Sequence, residues 1–197
     1  MNLNLLLAIS ITAIISVWTP GPNNIMLIGL AGKYGIRANF RYLLGIWTGC
    51  ILLTLASGLL CQTLATLAPR IQPIMKYIGA AYLVYLAYKT LMRKPAKDKD
   101  IGNIPSFLEG MMLQVLNIKL ILYALTMYST YILPNTGSWL AITFSAFFLV
   151  FFSATGNLVW ALAGNFLKPL YDRHHKIANA VMALLLLWCI LKMLGIL

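Results

Sequence analysis

The feature that most limits how this chain can fold is a series of six apolar segments separated by short polar gaps. The segments cover residues 3–31, 42–67, 74–91, 106–132, 139–163 and 178–196. A helix needs about 20 apolar residues to cross a hydrocarbon layer ~30 Å thick. The chain of 197 residues is 61% hydrophobic and 10% charged. It is therefore predicted to be an all-α integral membrane protein of six transmembrane helices, with residues 1–197 in a single domain.

The six helices are predicted to form two halves of three. A stretch that alternates lysine and aspartate, residues 93–104, is the linker between halves 1–92 and 105–197. With three helices each, related halves must lie in opposite orientations, which is the inverted-repeat arrangement of many secondary transporters. Weak similarity around Lys76 in the third segment and Lys176 in the sixth favours such a repeat.

The basic residues are concentrated in alternate gaps. The chain has 15 Lys and Arg against 4 Asp and Glu, for a net charge of +11. Most of these cations flank the first, third and fifth gaps, which the positive-inside bias assigns to the cytoplasm. Both termini are then predicted to face outward, and the charge needs no nucleic-acid partner. An added role of the basic loops in lipid binding or regulation stays open.

The first apolar segment is interrupted by Thr19-Pro20-Gly21-Pro22-Asn23-Asn24. Prolines remove backbone donors and leave carbonyls unpaired, and hydrocarbon does not tolerate such groups, so the helix must open toward protein, water or a ligand. Thr19 is predicted to cap the half-helix that restarts at Pro20 to Pro22. That N-terminus suits a carboxylate, and the freed carbonyls suit an ammonium group. A proline kink that only shapes packing is the alternative.

The fourth segment is interrupted by Gln114-Val115-Leu116-Asn117-Ile118-Lys119. A lysine near the bilayer centre costs about 2.5–3.5 kcal/mol on insertion scales, so Lys119 is predicted to face the bundle interior and find a partner. It is a structural cation bound to helix carbonyls, an anchor for a substrate carboxylate, or a proton-coupling group. Gln114 and Asn117 share a helix face, and they either reach a substrate or satisfy the broken backbone.

The two interruptions are predicted to lie at the same depth. Ser106 and Glu109 have the spacing of a capping box, so the fourth helix should begin near Ser106 at the cytoplasmic surface. Asn117 then lies about 16 Å further along the helix, near the centre of a core ~30 Å thick. Pro22 is separated from Lys33, at the other end of its helix, by the same number of residues.

Several other residues are candidates for the site or for packing. Asn157 is the polar point of the fifth helix and is predicted to belong to the site, and Tyr82 and Tyr123 are candidate substrate contacts. Gly45 and Gly49 form a small-residue pair that permits close helix packing. The sequence has no Walker loop, no His-Glu-x-x-His, no clustered carboxylates and no metal-ligand spacing. No metal, cofactor or catalytic residue is therefore predicted.

Taken together, these motifs resemble the LysE/RhtB superfamily of bacterial amino-acid exporters. The matching elements are Thr19 to Asn24, Gly45 with Gly49, Gly79 to Leu83, and Gln114-x-x-Asn117-x-Lys119. The resemblance covers essentially the entire chain. The runs Gln114 to Tyr123 and Gly156 to Gly164 look most like those of exporters of cysteine and O-acetylserine. Where the superfamily usually has proline between the Asn and the Lys, this chain has Ile118, which predicts a milder break.

The resemblance implies efflux of small neutral amino acids across the bacterial inner membrane, with both termini in the periplasm and a proton gradient or exchange as the driving force. The leading hypothesis is an alternating-access exporter of cysteine or O-acetylserine that binds the zwitterion between the two interruptions. Threonine, homoserine or leucine are alternative substrates. A channel is a third class. A membrane enzyme with Ser129 activated by Lys119 is disfavoured, because ten residues of helix separate them by about 15 Å.

Overall fold

The computed structural model describes residues 3–92, 105–136 and 138–196, so the predicted linker 93–104 lies outside the described residues. The described residues form eight α-helices, one of which continues into a π-helical segment. They are α1 (Leu3–Trp18), α2 (Pro22–Tyr34), α3 (Phe40–Leu59), α4 (Cys61–Leu91), α5 (Phe107–Val115), α6 (Ile118–Thr126), the π-helical segment (Met127–Ile132), α7 (Trp139–Phe166) and α8 (Lys168–Leu194). The predicted all-helical class is confirmed.

Five of these units are long and apolar enough to cross a membrane. The helices α3, α7 and α8 qualify alone, and two bent pairs qualify as broken spans, namely α1 with α2 and α5 with α6 plus the π-helical segment. The remaining helix of the described chain, α4, has 31 residues. It stands between the second and fourth spans, so a total of six remains a prediction.

Both predicted breaks are present. The axis bends by 55° between α1 and α2 and by 59° between α5 and α6. Whether the break at Ile118 is milder than one with proline stays a prediction, but it bends the chain as much as the first break, which contains two prolines. Leu116 is the C-cap residue of α5, at φ −89°, ψ −1°. Asn117 is the N-cap residue of α6 and has an extended backbone, at φ −85°, ψ 92°. Asparagine favours such helix-flanking conformations, so the chain breaks here without a proline.

Two of the predicted gaps are helical. The turn after α3 is confined to Leu60, at φ −108°, ψ 17°, and α4 then runs through the predicted gap at 68–73. Membrane helices tolerate internal prolines when neighbouring groups satisfy the freed carbonyls. The gap before the sixth segment is also helical, because α8 begins at Lys168 with a proline in its first turn, a favoured position. Its direction changes at His174, which leaves the helical conformation at φ −128°, ψ 38°.

The largest core cluster is built from six of the eight α-helices of the described chain. Helix α2 lies between α7 and α8, α3 packs against α5, α6 and α7, and α4 packs mainly against α8. The largest buried cluster includes Leu27, Leu30, Leu43, Ile46, Leu86 and Leu186. The opposite faces carry exposed large apolar residues, such as Phe144, Phe147 and Phe151 along α7. Apolar residues on both faces are expected of helices that lie in lipid.

The predicted capping box is confirmed and fixes the start of α5. The Ser106 hydroxyl accepts from the Glu109 N–H at 3.3 Å, and the Glu109 carboxylate accepts from the Ser106 N–H at 2.7 Å. The same carboxylate pairs with the Lys89 ammonium at 2.5 Å. This ion pair, which sequence reasoning did not predict, ties the end of α4 to the start of α5.

Glycines bring the backbones of α3 and α5 into contact. A Cβ at Gly45 would collide with the carbonyl of Phe107, and a Cβ at Gly110 would collide with the carbonyl of Tyr42. A Cβ at Gly49 would lie 3.0 Å from an α5 side chain. The prediction that Gly45 and Gly49 permit close packing is confirmed, and this contact holds α5 in the position that places the second break.

Replacing Gly45 by alanine is expected to destabilise the folded bundle, because the new methyl group overlaps the Phe107 backbone, which cannot rotate away. Overpacking of this kind costs about 1–3 kcal/mol or more. The thermal unfolding midpoint of detergent-purified protein measures it. Gly29→Ala is the matched control, because its Cβ would meet only the flexible Met182 side chain, at 3.4 Å. Equal midpoints for the two variants would contradict the prediction.

Candidate functional site

At the first break, the side chain of Thr19 bonds back to the last turn of α1. Its hydroxyl donates to the Ile15 carbonyl at 2.5 Å, the bond by which Ser and Thr commonly satisfy the carbonyl one turn earlier. The prediction that Thr19 caps the second half-helix was therefore wrong. Gly21 occupies the N-cap position of α2 in an extended conformation, Pro22 follows as the first helical residue, and no side chain caps this helix.

Asn24 satisfies carbonyls that the break sets free. Its side-chain amide donates to the Val17 carbonyl at 3.0 Å and to the Thr19 carbonyl at 3.2 Å. The residue is 4% exposed, so the bonds are shielded from solvent. Because Asn24 already occupies these carbonyls, it holds the two half-helices in their bent arrangement, and the end of α1 has less capacity for a second donor than the sequence indicated.

Lys119 reaches from the second break to the first. Its ammonium donates to the Thr19 carbonyl at 2.9 Å, and a Cβ on Gly21 would lie 3.5 Å from that nitrogen. The side chain therefore passes directly over the start of α2. An ammonium has three donors, and one bond to a carbonyl leaves others for a second acceptor. The geometry fits a structural cation and also fits a cation that binds an anionic group.

A second bond joins the two breaks. The Asn23 side-chain amide donates to the Gln114 side-chain oxygen at 2.6 Å. Gln114 is completely buried, since it lies at the contact between α5 and α3. Two hydrogen bonds, from Lys119 to Thr19 and from Asn23 to Gln114, thus connect the broken parts of the first and fourth spans. Any change in the distance between these spans must break or rebuild both.

Two cavities meet at this junction and share the lining residues Gly21, Pro22, Asn117 and Lys119. The smaller one, here called the inner cavity, has a volume of about 50 Å³. The larger one, here called the outer cavity, has a volume of about 470 Å³. Lys119 is exposed, which agrees with its place on the wall of both.

Most of the residues that line the inner cavity have polar side chains. Besides the shared residues it is lined by Ser16, Asn23, Asn24, Tyr123, Ser153 and Asn157, with Val17 and Leu120 as its apolar residues. The Asn157 side-chain nitrogen and the Tyr123 hydroxyl are buried without a hydrogen-bond partner among the described residues. Ser16 and Ser153 were not predicted from the sequence. Ser153 is one turn before Asn157 on α7, so the period of that helix was the available signal.

The outer cavity is positively charged. Lys76 of α4 and Lys192 of α8 line it together with Lys119, and no Asp or Glu is among the described residues on its wall. Trp188 lies beneath the Lys192 ammonium, 4.8 Å from ring centre to nitrogen. The sequence did not indicate that Lys76 and Lys192 belong to the site. Their convergence depends on how α4 packs against α8.

The sequence pattern of LysE type translocators matches residues 14–194 of the chain, which includes both breaks and every residue that lines the two cavities. This protein belongs to the LysE family. Two proteins similar to it are the cysteine/O-acetylserine efflux proteins of Escherichia coli strain K12 and of Shigella sonnei strain Ss046. Each is 34% identical over 193 residues, which is 98% of this chain and 98% of the relative. No solved structure matches the chain.

Most of the predicted site residues of this LysE family member lie on the two cavities. Thr19 and Pro20 line the outer cavity. Tyr82 lies apart from both: its hydroxyl donates to the Glu109 carbonyl at 3.3 Å, and its ring borders a small void of about 20 Å³ beside Pro22 and Asn117. Gln114 is behind the wall and contacts the site through Asn23.

The described residues of this LysE family protein do not bring Ser129 together with Lys119. No group of three or more His, Cys, Asp or Glu residues suited to a metal ion occurs among the described residues. The Ser129 hydroxyl is 3.5 Å from the Thr126 carbonyl and lies in the π-helical segment, more than two helical turns from Lys119. The alternative of a lysine-activated serine therefore has no support in the geometry.

Proposed function

We propose that this LysE family protein exports small neutral amino acids or their derivatives across the bacterial inner membrane, with cysteine and O-acetylserine as its substrates. The observation that carries the proposal is the junction of the two broken helices, where the Lys119 ammonium lies over the start of α2 between two cavities. The family of translocators, and relatives whose names specify cysteine/O-acetylserine efflux, support the substrate class.

The substrate carboxylate binds between the Lys119 ammonium and the first N–H groups of α2. The opening N–H groups of a helix lack partners within the helix, and the helix dipole adds partial positive charge there. Anions bind readily at such an end. Gly21 keeps this approach open, because a side chain at that position would meet the Lys119 side chain. The carboxylate thereby takes up donors of Lys119 that the Thr19 carbonyl does not use.

The substrate ammonium group needs an acceptor nearby. The Asn23 side-chain oxygen is buried and has no hydrogen-bond partner within the described chain, and it lies on the inner cavity next to α2. An ammonium group bound there would satisfy this oxygen, while Asn23 continues to donate to Gln114. Asn117, whose side chain does not cap α6, lies on both cavities and offers a second polar contact.

Alternating access is favoured by the way the two halves pack. The broken first span packs against α7 of the second half, and the broken fourth span packs against α3 of the first half. The third span, α4, packs against its counterpart α8. These paired contacts are those expected of a 3+3 inverted repeat, in which halves rock around a site near the midplane. Thr19 to Asn24 and Gln114 to Lys119 then form both the site and the gate.

The outer cavity is the exit route. Its α8 residues, Trp188 to Met193, lie at the end of α8 that is remote from the basic gap, so the positive-inside bias assigns it to the periplasmic side. Both termini are periplasmic by the same reasoning. Three lysines without a carboxylate on the wall create a positive potential that draws the substrate carboxylate outward from the junction.

A double replacement in the outer cavity, Lys76→Gln with Lys192→Gln, is expected to weaken binding of substrate added on the outer face by about three- to tenfold, since each ammonium contributes roughly 1 kcal/mol or less through water. The difference should shrink at high salt, because exposed charges are screened. Competition between unlabelled and labelled substrate in vesicles measures it. Arg173→Gln with Lys176→Gln, at the basic end of α8, is the charge-matched control.

The proposed function is tested with purified protein in vesicles loaded with labelled cysteine, O-acetylserine, threonine or leucine, with and without a pH gradient. We expect saturable efflux of cysteine and O-acetylserine that unlabelled substrate inhibits competitively. Preference for threonine, homoserine or leucine would assign a different amino acid to the same site. Flux that rises linearly with concentration and ignores competitors would indicate a channel and overturn the proposal.

A further inference from the structure

We propose that the inner cavity is the subsite for the substrate side chain, and that Asn157 and Tyr123 select side chains that carry a hydrogen-bond acceptor. This inference rests on the proposed function, since it assumes an amino acid at the junction. It adds what the junction alone does not specify, namely how one small neutral amino acid is distinguished from another.

Unused hydrogen-bonding capacity identifies the selecting residues. Asn157 is 2% exposed, and its side-chain nitrogen has no acceptor among the described residues. The Tyr123 hydroxyl is likewise buried and without a partner in the described chain. Leaving a buried donor unpaired costs about 1–3 kcal/mol, so such groups require an explanation. Both residues line the same small cavity, from α7 and α6, so a ligand with an acceptor in this cavity is the partner we assign to them.

The position of the cavity fits the side chain rather than the charged groups. It shares Gly21, Pro22, Asn117 and Lys119 with the outer cavity, so a zwitterion held at Lys119 lies at its mouth. Beyond that mouth the lining is uncharged, with Ser153 and Asn157 of α7 at one wall. A side chain that points away from the outer cavity enters this space.

The size of the cavity limits the side chain. A single water needs roughly 10–15 Å³ of such volume, so a cavity of about 50 Å³ holds about three to five heavy atoms. The acetoxy group of O-acetylserine has four, and the thiol of cysteine has one. The ester carbonyl of O-acetylserine is an acceptor of the kind that the Asn157 amide and the Tyr123 hydroxyl lack. Apolar side chains of similar size, such as that of leucine, would leave the donors unpaired.

The test compares two substrates that differ by a single acceptor, O-acetylserine and its ether analogue O-ethylserine, in which a methylene group replaces the carbonyl. For the wild-type protein we expect transport efficiency at least about tenfold higher for O-acetylserine, because a site built around donors rejects an analogue that leaves them unpaired. Asn157→Leu, which keeps the volume and removes the donor, should bring this ratio close to one, mainly by loss of O-acetylserine transport.

Tyr123→Phe removes only the hydroxyl and is the second variant, which keeps the test decisive if Asn157→Leu does not fold. It should lower the ratio as well. Ser145→Ala is the matched control on α7, because its hydroxyl donates within the helix to the Ile142 carbonyl at 2.9 Å and is not among the lining residues of the inner cavity. This control should keep the wild-type ratio.

The outcomes separate this inference from the proposed function. A wild-type protein that transports neither compound nor cysteine would overturn the proposed function and this inference together. A wild-type protein that transports both analogues equally would overturn the side-chain subsite alone, and the cavity would then hold only water. An unchanged ratio in both variants would also overturn it, even where the overall rate falls.

Discussion

Replacing Lys119 by methionine is expected to reduce export about 100-fold while the protein still inserts and folds. Methionine has nearly the length of lysine but lacks the ammonium group, so the bond to the Thr19 carbonyl and the charge opposite the substrate carboxylate disappear together. Hydrogen bonds to charged groups contribute about 1.5–3 kcal/mol, and the upper value corresponds to roughly 100-fold in rate or affinity. Initial rates of labelled O-acetylserine efflux, divided by the amount of purified protein, measure the loss.

A matched control is available at the other end of the bundle. The Lys168 ammonium donates to the Lys33 carbonyl at 3.0 Å, nearly the same bond that Lys119 makes with Thr19, but far from the two cavities. Lys168→Met should therefore keep most of the wild-type transport. Lys119→Arg restores the charge with a bulkier group and should recover part of it. If Lys119→Met exports at the wild-type rate, the lysine is only a structural cation and does not bind substrate.

The positions of the two breaks could be predicted because hydrocarbon offers backbone groups no partners. Two prolines around Gly21 and the polar Gln114-x-x-Asn117 beside Lys119 can be accommodated only where the helix opens toward other groups. The depth estimate from the Ser106 capping box depended only on helix rise. These inferences use local sequence and one boundary condition, and the structure has both breaks where they were expected.

The partners within the site could not be predicted in the same way. Thr19 was expected to cap α2, yet it bonds backward to Ile15 while Asn24 takes the freed carbonyls. Either residue has the chemistry for either role, and the choice depends on the angle between two half-helices. The size of the bend beside Ile118 could not be read from proline content either, since the chain turns by 59° there without one.

The sequence also could not show which residues from distant segments come together on one cavity. Lys76 and Lys192 are 116 positions apart, and they meet on one cavity only because α4 packs along α8. Ser153 and Ser16 join the inner cavity through contacts between α7 and α1. A periodic pattern indicates which residues share a face, but it does not indicate which face meets which neighbour. That information is needed to assemble the polar groups of a site from several helices.

The bond between Asn23 and Gln114 gives the second large prediction. Asn23→Ala and Gln114→Ala should each lower export by roughly 10- to 100-fold. Each replacement removes one partner of the hydrogen bond and leaves the remaining side-chain amide buried and unpaired, at a cost of about 1–3 kcal/mol. The double variant should be little worse than either single one. Such non-additivity is expected of residues in direct contact, and it would show that the two broken spans act as one unit during transport.

The control for these three variants is a buried hydrogen bond that lies outside the junction. The Tyr171 hydroxyl donates to the Asn179 side chain at 2.6 Å within α8. Tyr171→Phe should therefore lower the thermal unfolding midpoint but leave export per folded molecule close to the wild-type value. For the Asn23 and Gln114 variants the reverse is expected, with export falling more than stability. Effects of the two alanines that simply multiply would mean that the bond does not couple the spans, because each residue would then contribute to transport independently of the other.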